Sequence, residues 1–160
     1  MKKVLILFGV LIILIIATVI SQNYLQASNF NNSINIDSET PMITINNHTF
    51  NLDIAITQKE KQIGLSGTKT LPQDRGMLFQ FEGPGYYRFW MKDMKFPIDI
   101  IFIRSGRIVT IHKNVKPAKT PDEIPPIYNS SEPTDTVLEI NAGLSEKYNF
   151  KEGDDVKLSL

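Results

Sequence analysis

Apolar and polar residues alternate along "MITINNHTFNLDIAIT", residues 42 to 57. In its second half Phe50, Leu52, Ile54 and Ile56 fall on one face and Asn51 and Asp53 on the other. That period of two predicts a half-buried strand. The Asn46-Asn47 pair interrupts the pattern where a hairpin needs residues that tolerate left-handed backbone. The period changes in "TQKEKQIGLSG". There Thr57 and Glu60 form a capping-box pair and Gly67 suits the far end, so a helix of about two turns is expected. "TKTLPQDRG" follows as a loop, and "MLFQF" as a short strand closed by a turn at "EGPG". "YYRFWM" is extended and aromatic. "IDIIFI", residues 98 to 103, is almost continuously apolar, as in a central strand packed on both faces. Arg104 to Arg107 turn the chain back into "IVTIH", a second hairpin. Between Val115 and Asp135 lie five prolines and no periodicity. Long segments of that kind commonly serve as lids or binding loops. "TVLEI" and "DVKLSL" complete the strands, with one helical turn expected around Ser145 to Tyr148. Six or seven short strands with little helix predict a mainly β fold. The expectation is a small antiparallel barrel or two-layer sandwich with one or two short helices.

The N-terminus departs from both periods. After Met1-Lys2-Lys3, residues 4 to 20 are uncharged and apolar. As a helix they extend roughly 26 Å, close to the hydrocarbon thickness of a bilayer at about 30 Å. The basic pair is expected to stay cytoplasmic, which sends the rest of the chain outward. The stretch after the apolar run lacks a clean small-x-small cleavage site, so an uncleaved anchor is favoured over secretion after signal cleavage. Residues 21 to 40 are rich in Asn and Ser and predict a flexible linker before a domain at 41 to 160. The expected address is therefore a single-pass membrane protein with an extracytoplasmic domain, its bilayer contact made through residues 4 to 20.

Composition narrows the chemistry. The chain has 160 residues and no cysteine, so disulfides, thiolate metal sites and cysteine nucleophiles are excluded. Formal charge is zero, yet Arg88 to Lys119 carries eight basic and two acidic residues, and Thr120 to Leu160 three basic and nine acidic. Those segments, at +6 and −6, are expected to neutralise one another, and no unbalanced basic face points to a nucleic acid. His48 and His112 are distant in sequence, and Met91 and Met94 with one histidine would make at most a copper(I)-like set. Neither a metal nor another cofactor is expected.

"RFWMKDMKFPIDIIFI", residues 88 to 103, holds the candidate chemistry. Tyr86, Tyr87, Phe89, Trp90 and Phe96 are more aromatic area than a small core needs, and a tryptophan is seldom wholly buried. Trp90 with Tyr86 or Tyr87 could offer a platform to a ring-shaped ligand, with Asp93 and Asp99 accepting from its hydroxyls and Tyr128 on a neighbouring wall. Asp99 sits inside an apolar run, where a carboxylate is costly unless paired or hydrogen-bonded. Structural pairing with Arg75, Arg88 or backbone amides is one account of it, and a working site carboxylate the other. Asp93 and Asp99 are also the weak candidates for a hydrolase acid/base pair. Ser66 in "GLSGT" lacks the strand-turn-helix setting of a nucleophile elbow. Glu139 alternates with apolar neighbours and is expected to face outward.

The landmarks "IGLSG", "RGMLFQF", "FWMKDMKFPIDIIFI", "GRIV", "VLEINAG" and "GDDV" occur in this order with gaps that resemble the DUF192 family. The resemblance covers about residues 43 to 160. One departure is Ser66, where family members often carry Met. The resemblance implies a compact, mostly β domain, often exported behind a signal or anchor, and it brings no reaction, cofactor or catalytic residue. The expectation for function is a tethered domain that binds a glycan or other small ligand of the cell envelope. The alternatives are a hydrolase using Asp93 and Asp99 and a protein-interaction module at the membrane surface.

Overall fold

The structure, a computed structural model, describes residues 16–23, 40–120 and 123–160. Residues 16–23 are helical and exposed. Most of the expected span at 4–20 and of the linker at 21–40 lies outside the described residues. Among those described, no helix is long and apolar enough to cross a membrane.

The unit from Glu39 to Leu160 contains nine strands and two short helices. In chain order they are β1 (Met42–Ile45), β2 (His48–Ala55), α1 (Gln58–Ile63), β3 (Arg75–Gly85), β4 (Phe89–Trp90) and β5 (Ile98–Arg104). There follow β6 (Arg107–Val115), β7 (Ile127–Tyr128), β8 (Thr134–Asn141), α2 (Leu144–Lys147) and β9 (Val156–Ser159). Seven strands form one sheet in the order β6-β5-β8-β3-β2-β1-β9, and β4 pairs with β7 in a separate ribbon.

Local chemistry accounts for the elements. Asn46 and Asn47 both adopt positive φ, at 47° and 66°, and Ile45 pairs with His48 across the two-residue turn. Ser105 and Gly106 do the same between β5 and β6. The Thr57 side chain accepts from the Glu60 amide, and the Glu60 carboxylate accepts from Thr57 N–H at 2.8 Å, so the capping box is complete. Amides of Thr57 and Ile56 hold that exposed carboxyl below its ordinary range. The helix stops earlier than its pattern suggests. Gly64, not Gly67, takes the positive φ that ends it. "EGPG" is not a turn either: β3 runs through to Gly85, and a register shift between Gln80 and Gly85 absorbs the irregularity.

The expected all-antiparallel arrangement needs one correction. β2 and β3 pair in parallel, from Asn51↔Arg75 to Ala55↔Phe79. A parallel pair requires a crossover, and the segment carrying α1 is long enough to supply it. The sheet is also a single curled half-barrel rather than two stacked layers. Its edge strands approach at one end, where Ile108 N–H donates to Asp154 O, Gly153 N–H to Ile108 O and Val156 N–H to Gly106 O.

The curl encloses one apolar cluster built on Ile43, Phe50, Leu78, Ile101, Leu138 and Phe150, with Leu144 of α2 contributing. A second cluster covers the opposite face. There Phe79, Ile100, Phe102 and Val137 pack beneath Leu65, Leu71, Met91 and Met94 from the connecting segments. Six of the seven residues of β5 are buried, because both of its faces are covered. Its apolar run has this cause.

Gly76 of β3 has no room for a side chain. An added Cβ would stand 2.9 Å from Leu138 Cδ1 and 3.1 Å from the Glu139 carbonyl. Gly76→Ala is expected to destabilise the domain by about 1–3 kcal/mol, as overpacking of a filled core does. The midpoint of a denaturant titration measures it, and an unchanged midpoint would contradict this packing.

Candidate functional site

The aromatic segment is sorted by strand alternation. In the β4–β7 ribbon Phe89 pairs with Tyr128 and Trp90 with Ile127. Phe89 turns inward and meets Phe79 and Phe102 edge-on at 4.9 and 5.6 Å. Trp90, next along, turns outward and is 55% exposed. Tyr86 is 63% exposed but lines none of the grooves described below. Tyr87 stacks on Phe81 with centroids 3.5 Å apart, and its hydroxyl donates to Gly83 O at 2.6 Å. Tyr128 is half-buried with its ring against His112. Of the expected platform, Trp90 is the ring free to meet a ligand beside a concave surface.

Trp90 forms a wall shared by two grooves. The first, of about 230 Å³, runs past Gln58, Lys61 and Gln62 of α1 and includes Ser66 and Arg88. The second, of about 620 Å³, includes Lys92, Asp93, Lys95, Lys119 and Glu123. The tight turn that carries Lys92 and Asp93 is fastened from behind. Ser66 Oγ donates to Lys92 O at 2.9 Å, and Gly67 N–H to Asp93 O at 3.0 Å. Asp93 itself has φ 56° and its side chain is exposed. Lys92 Nζ lies 5.9 Å from the Trp90 ring centroid. The indole thus presents an apolar plane with a cation beside it, a combination suited to a polar ring with anionic substituents.

Asp99 is not part of this surface. It is fully buried on the face of β5 shared with Ile101 and Ile103. Its Oδ1 accepts from Asn114 N–H at 2.7 Å and Gly143 N–H at 3.1 Å, and its Oδ2 from Ser145 N–H at 2.9 Å and Ser145 Oγ at 2.6 Å. Both oxygens are engaged, so the carboxylate has a structural partner set and none of it is arginine. Asp93 and Asp99 consequently do not converge on one cleft, and the acid/base pair of the alternative hydrolase reading is not assembled.

Glu139 corrects a second expectation. It lies on β8, between Met77 of β3 and Ile100 of β5, and is only 5% exposed. β8 is an interior strand with both faces covered, so its alternation does not lead to solvent. Among the described residues nothing donates to or pairs with this carboxylate. Among the described residues no enclosed polar side-chain atom lacks a partner, so the slight exposure left to Glu139 is at its carboxyl oxygens. Burial alone pushes its pKa from 4.5 up to about 8. The one sequence signal was a glutamate inside "TVLEI", and it looks identical to a surface glutamate until the neighbouring strands are known.

Among the described residues, ion pairing between the oppositely charged segments occurs at two exposed places, Arg104–Glu132 and Arg107–Asp155. Among the described residues no group of three His, Asp or Glu side chains lies close enough to hold a metal ion.

Comparisons agree with this architecture. The DUF192 family model, described as an uncharacterized ACR, matches residues 41–158, and the chain belongs to that family. It is similar to a protein of unknown function from Novosphingobium aromaticivorans, at 34% identity over 73% of this chain and 82% of that one, with a TM-score of 0.63. A Sinorhizobium meliloti protein, described provisionally as a transcription regulator, is 30% identical over 74% of this chain and 91% of its own, with a TM-score of 0.65. No curated protein matches the chain.

Two substitutions separate the structural carboxyls from the surface. Asp99→Asn leaves donors facing an amide NH2 and is expected to lower stability by about 2–4 kcal/mol while sparing any ligand bound at Trp90. Denaturation midpoints read the first effect and calorimetric titration the second. For Glu139 the sign follows from a raised folded-state pKa. The native carboxyl stays protonated where the unfolded one ionises, so wild-type stability falls as pH rises from 4.5 to about 8. Relative to wild type, Glu139→Gln is expected to gain stability across that window and to gain no more above it. Parallel pH profiles for the two proteins would refute the burial argument.

Proposed function

We propose that this DUF192 protein is a membrane-tethered, extracytoplasmic binding domain that takes a glycan or other small ligand of the cell envelope across Trp90. The observation that carries this reading is the outward indole held as the common wall of two grooves. The ribbon that holds it turns the half-buried Phe89 against Phe79 and Phe102, which leaves the indole plane on the open side, beside concave surface. Gln58, Gln62 and Ser66 on one side and Lys92 and Asp93 on the other supply the few convergent polar groups that orient a bound ring. Tyr87 and Tyr128 act as scaffold for the ribbon. Asp93 takes the hydrogen-bonding role, and Asp99 holds the fold that presents it. The tether is the apolar run after Met1-Lys2-Lys3, whose basic flank favours an outward domain.

Trp90 is the single tryptophan of the chain, so indole emission reports on this surface without a label. Titrating the full chain with envelope oligosaccharides is expected to shift that emission. Trp90→Ala is expected to abolish the calorimetric binding signal while changing stability by no more than about 0.5 kcal/mol, as surface substitutions usually do. Binding that survives the substitution, or a domain that loses its cooperative unfolding, would overturn the proposal.

A further inference from the structure

The groove beyond Trp90 does not end at the proline-rich segment. Ala118, Lys119 and Glu123 line the 620 Å³ groove and equally line a further groove of about 470 Å³, whose other wall includes His112, Lys113, Lys116 and Tyr128. Two concave surfaces are therefore joined along one shared edge, and each alone is of a size that takes a small molecule.

Five lysines line this pair, Lys92, Lys95 and Lys119 in the first groove and Lys113, Lys116 and again Lys119 in the second. All five are exposed, and among the described residues none forms an ion pair. Among the described residues the acids on the same walls are two. Glu123 is already committed, its Oε2 accepting from Lys119 N–H at 2.6 Å. Asp93 sits at the Trp90 end. Five of the eight basic residues between Arg88 and Lys119 are thus gathered along a groove, while Arg104 and Arg107 of the same segment pair with Glu132 and Asp155 elsewhere.

We infer that the ligand is a linear anionic oligosaccharide, one ring resting on Trp90 and its further acidic units running past Lys119 into the groove beside His112. This inference rests on the binding role proposed above and names the class of ligand. A single exposed lysine contributes little to affinity. Several of one sign along a low-dielectric groove focus the field and select a complementary polymer. Other polyanions fit less well. A single-stranded nucleic acid uses successive aromatic platforms, whereas Trp90 is the only exposed ring lining these grooves among the described residues. Lys92 beside the indole places the first anionic substituent next to the ring that rests there.

The test uses the full chain in non-ionic detergent, with Trp90 emission and calorimetry as readouts. Oligogalacturonates of increasing length are compared with neutral malto-oligosaccharides of the same lengths. Long uronates are expected to bind at least about tenfold more tightly than neutral chains, with affinity that grows with length and falls as added salt screens the lysines. The double substitution Lys113→Gln, Lys116→Gln is expected to remove the gain with length and leave the shortest uronate unaffected. Neutral chains binding as well as charged ones, or affinity independent of length, would overturn this inference and leave the Trp90 binding role standing. Equal binding of oligothymidylate, or of mixed micelles carrying phosphatidylglycerol, would also overturn it. Silence from every carbohydrate, charged or neutral, would remove this inference and the glycan reading of the Trp90 surface together.

Discussion

A single buried carboxylate ties the half-barrel together. Asp99 reaches from the central strand β5 to the bulged residue Asn114 of β6 and to Gly143 and Ser145, where β8 gives way to α2. Two separate segments are thereby fixed to one side chain of a third by four hydrogen bonds. Ionised acceptors of backbone amides make the stronger kind of hydrogen bond, and such a group in an apolar strand is tolerable only when its capacity is filled. Asn114 can present its amide because it adopts φ 51° where the β5–β6 register shifts. The irregularity in β6 and the polar residue in β5 are therefore one feature, each making sense of the other.

With that staple in place the sheet can be covered on both faces. One face closes on itself, helped by the meeting of β6 and β9. The other needs a lid, and the connecting segments supply it. Leu65 and Leu71 follow α1, while Met91 and Met94 flank the turn before β5. The β4–β7 ribbon lies over this outer cluster through Phe89 and Tyr128. Because strand neighbours point in opposite directions, turning Phe89 inward obliges Trp90 to face water. The exposed indole and its grooves are a consequence of how the outer face is capped.

Glu139 shows the opposite case, a carboxyl that the packing buries almost wholly and leaves only a slight opening to solvent. Its neighbours Met77 and Ile100 offer no donor, and its proton is retained well above the ordinary carboxylate range. Asp99 and Glu139 lie on adjacent strands of one sheet and are about equally buried, yet they differ because amides converge on one and not on the other. Burial alone therefore does not identify a working carboxyl. The set of groups aimed at it does.

The local elements were legible in the sequence because their causes are local. Paired asparagines make a hairpin, Thr57 and Glu60 cap a helix, and the unbroken apolar run at 98 to 103 requires cover on both sides. The aromatic segment was equally visible as a place of excess. What the sequence could not express is which strands become neighbours. The parallel pairing of β2 with β3, the passage of β3 through "EGPG", and the amides that surround Asp99 all depend on residues far apart in the chain. The same is true of the side chains around Trp90. Alternation establishes that Phe89 and Trp90 face opposite ways, but only the packing of the ribbon against Phe79 and Phe102 decides which of them turns inward. By itself the sequence determined a mainly β domain with its turns, caps and polar oddities, since those follow from near neighbours. Tertiary structure alone decided that one oddity became a staple, another a trapped acid and a third a surface, since the free energy of a polar or aromatic group is set by what is brought against it.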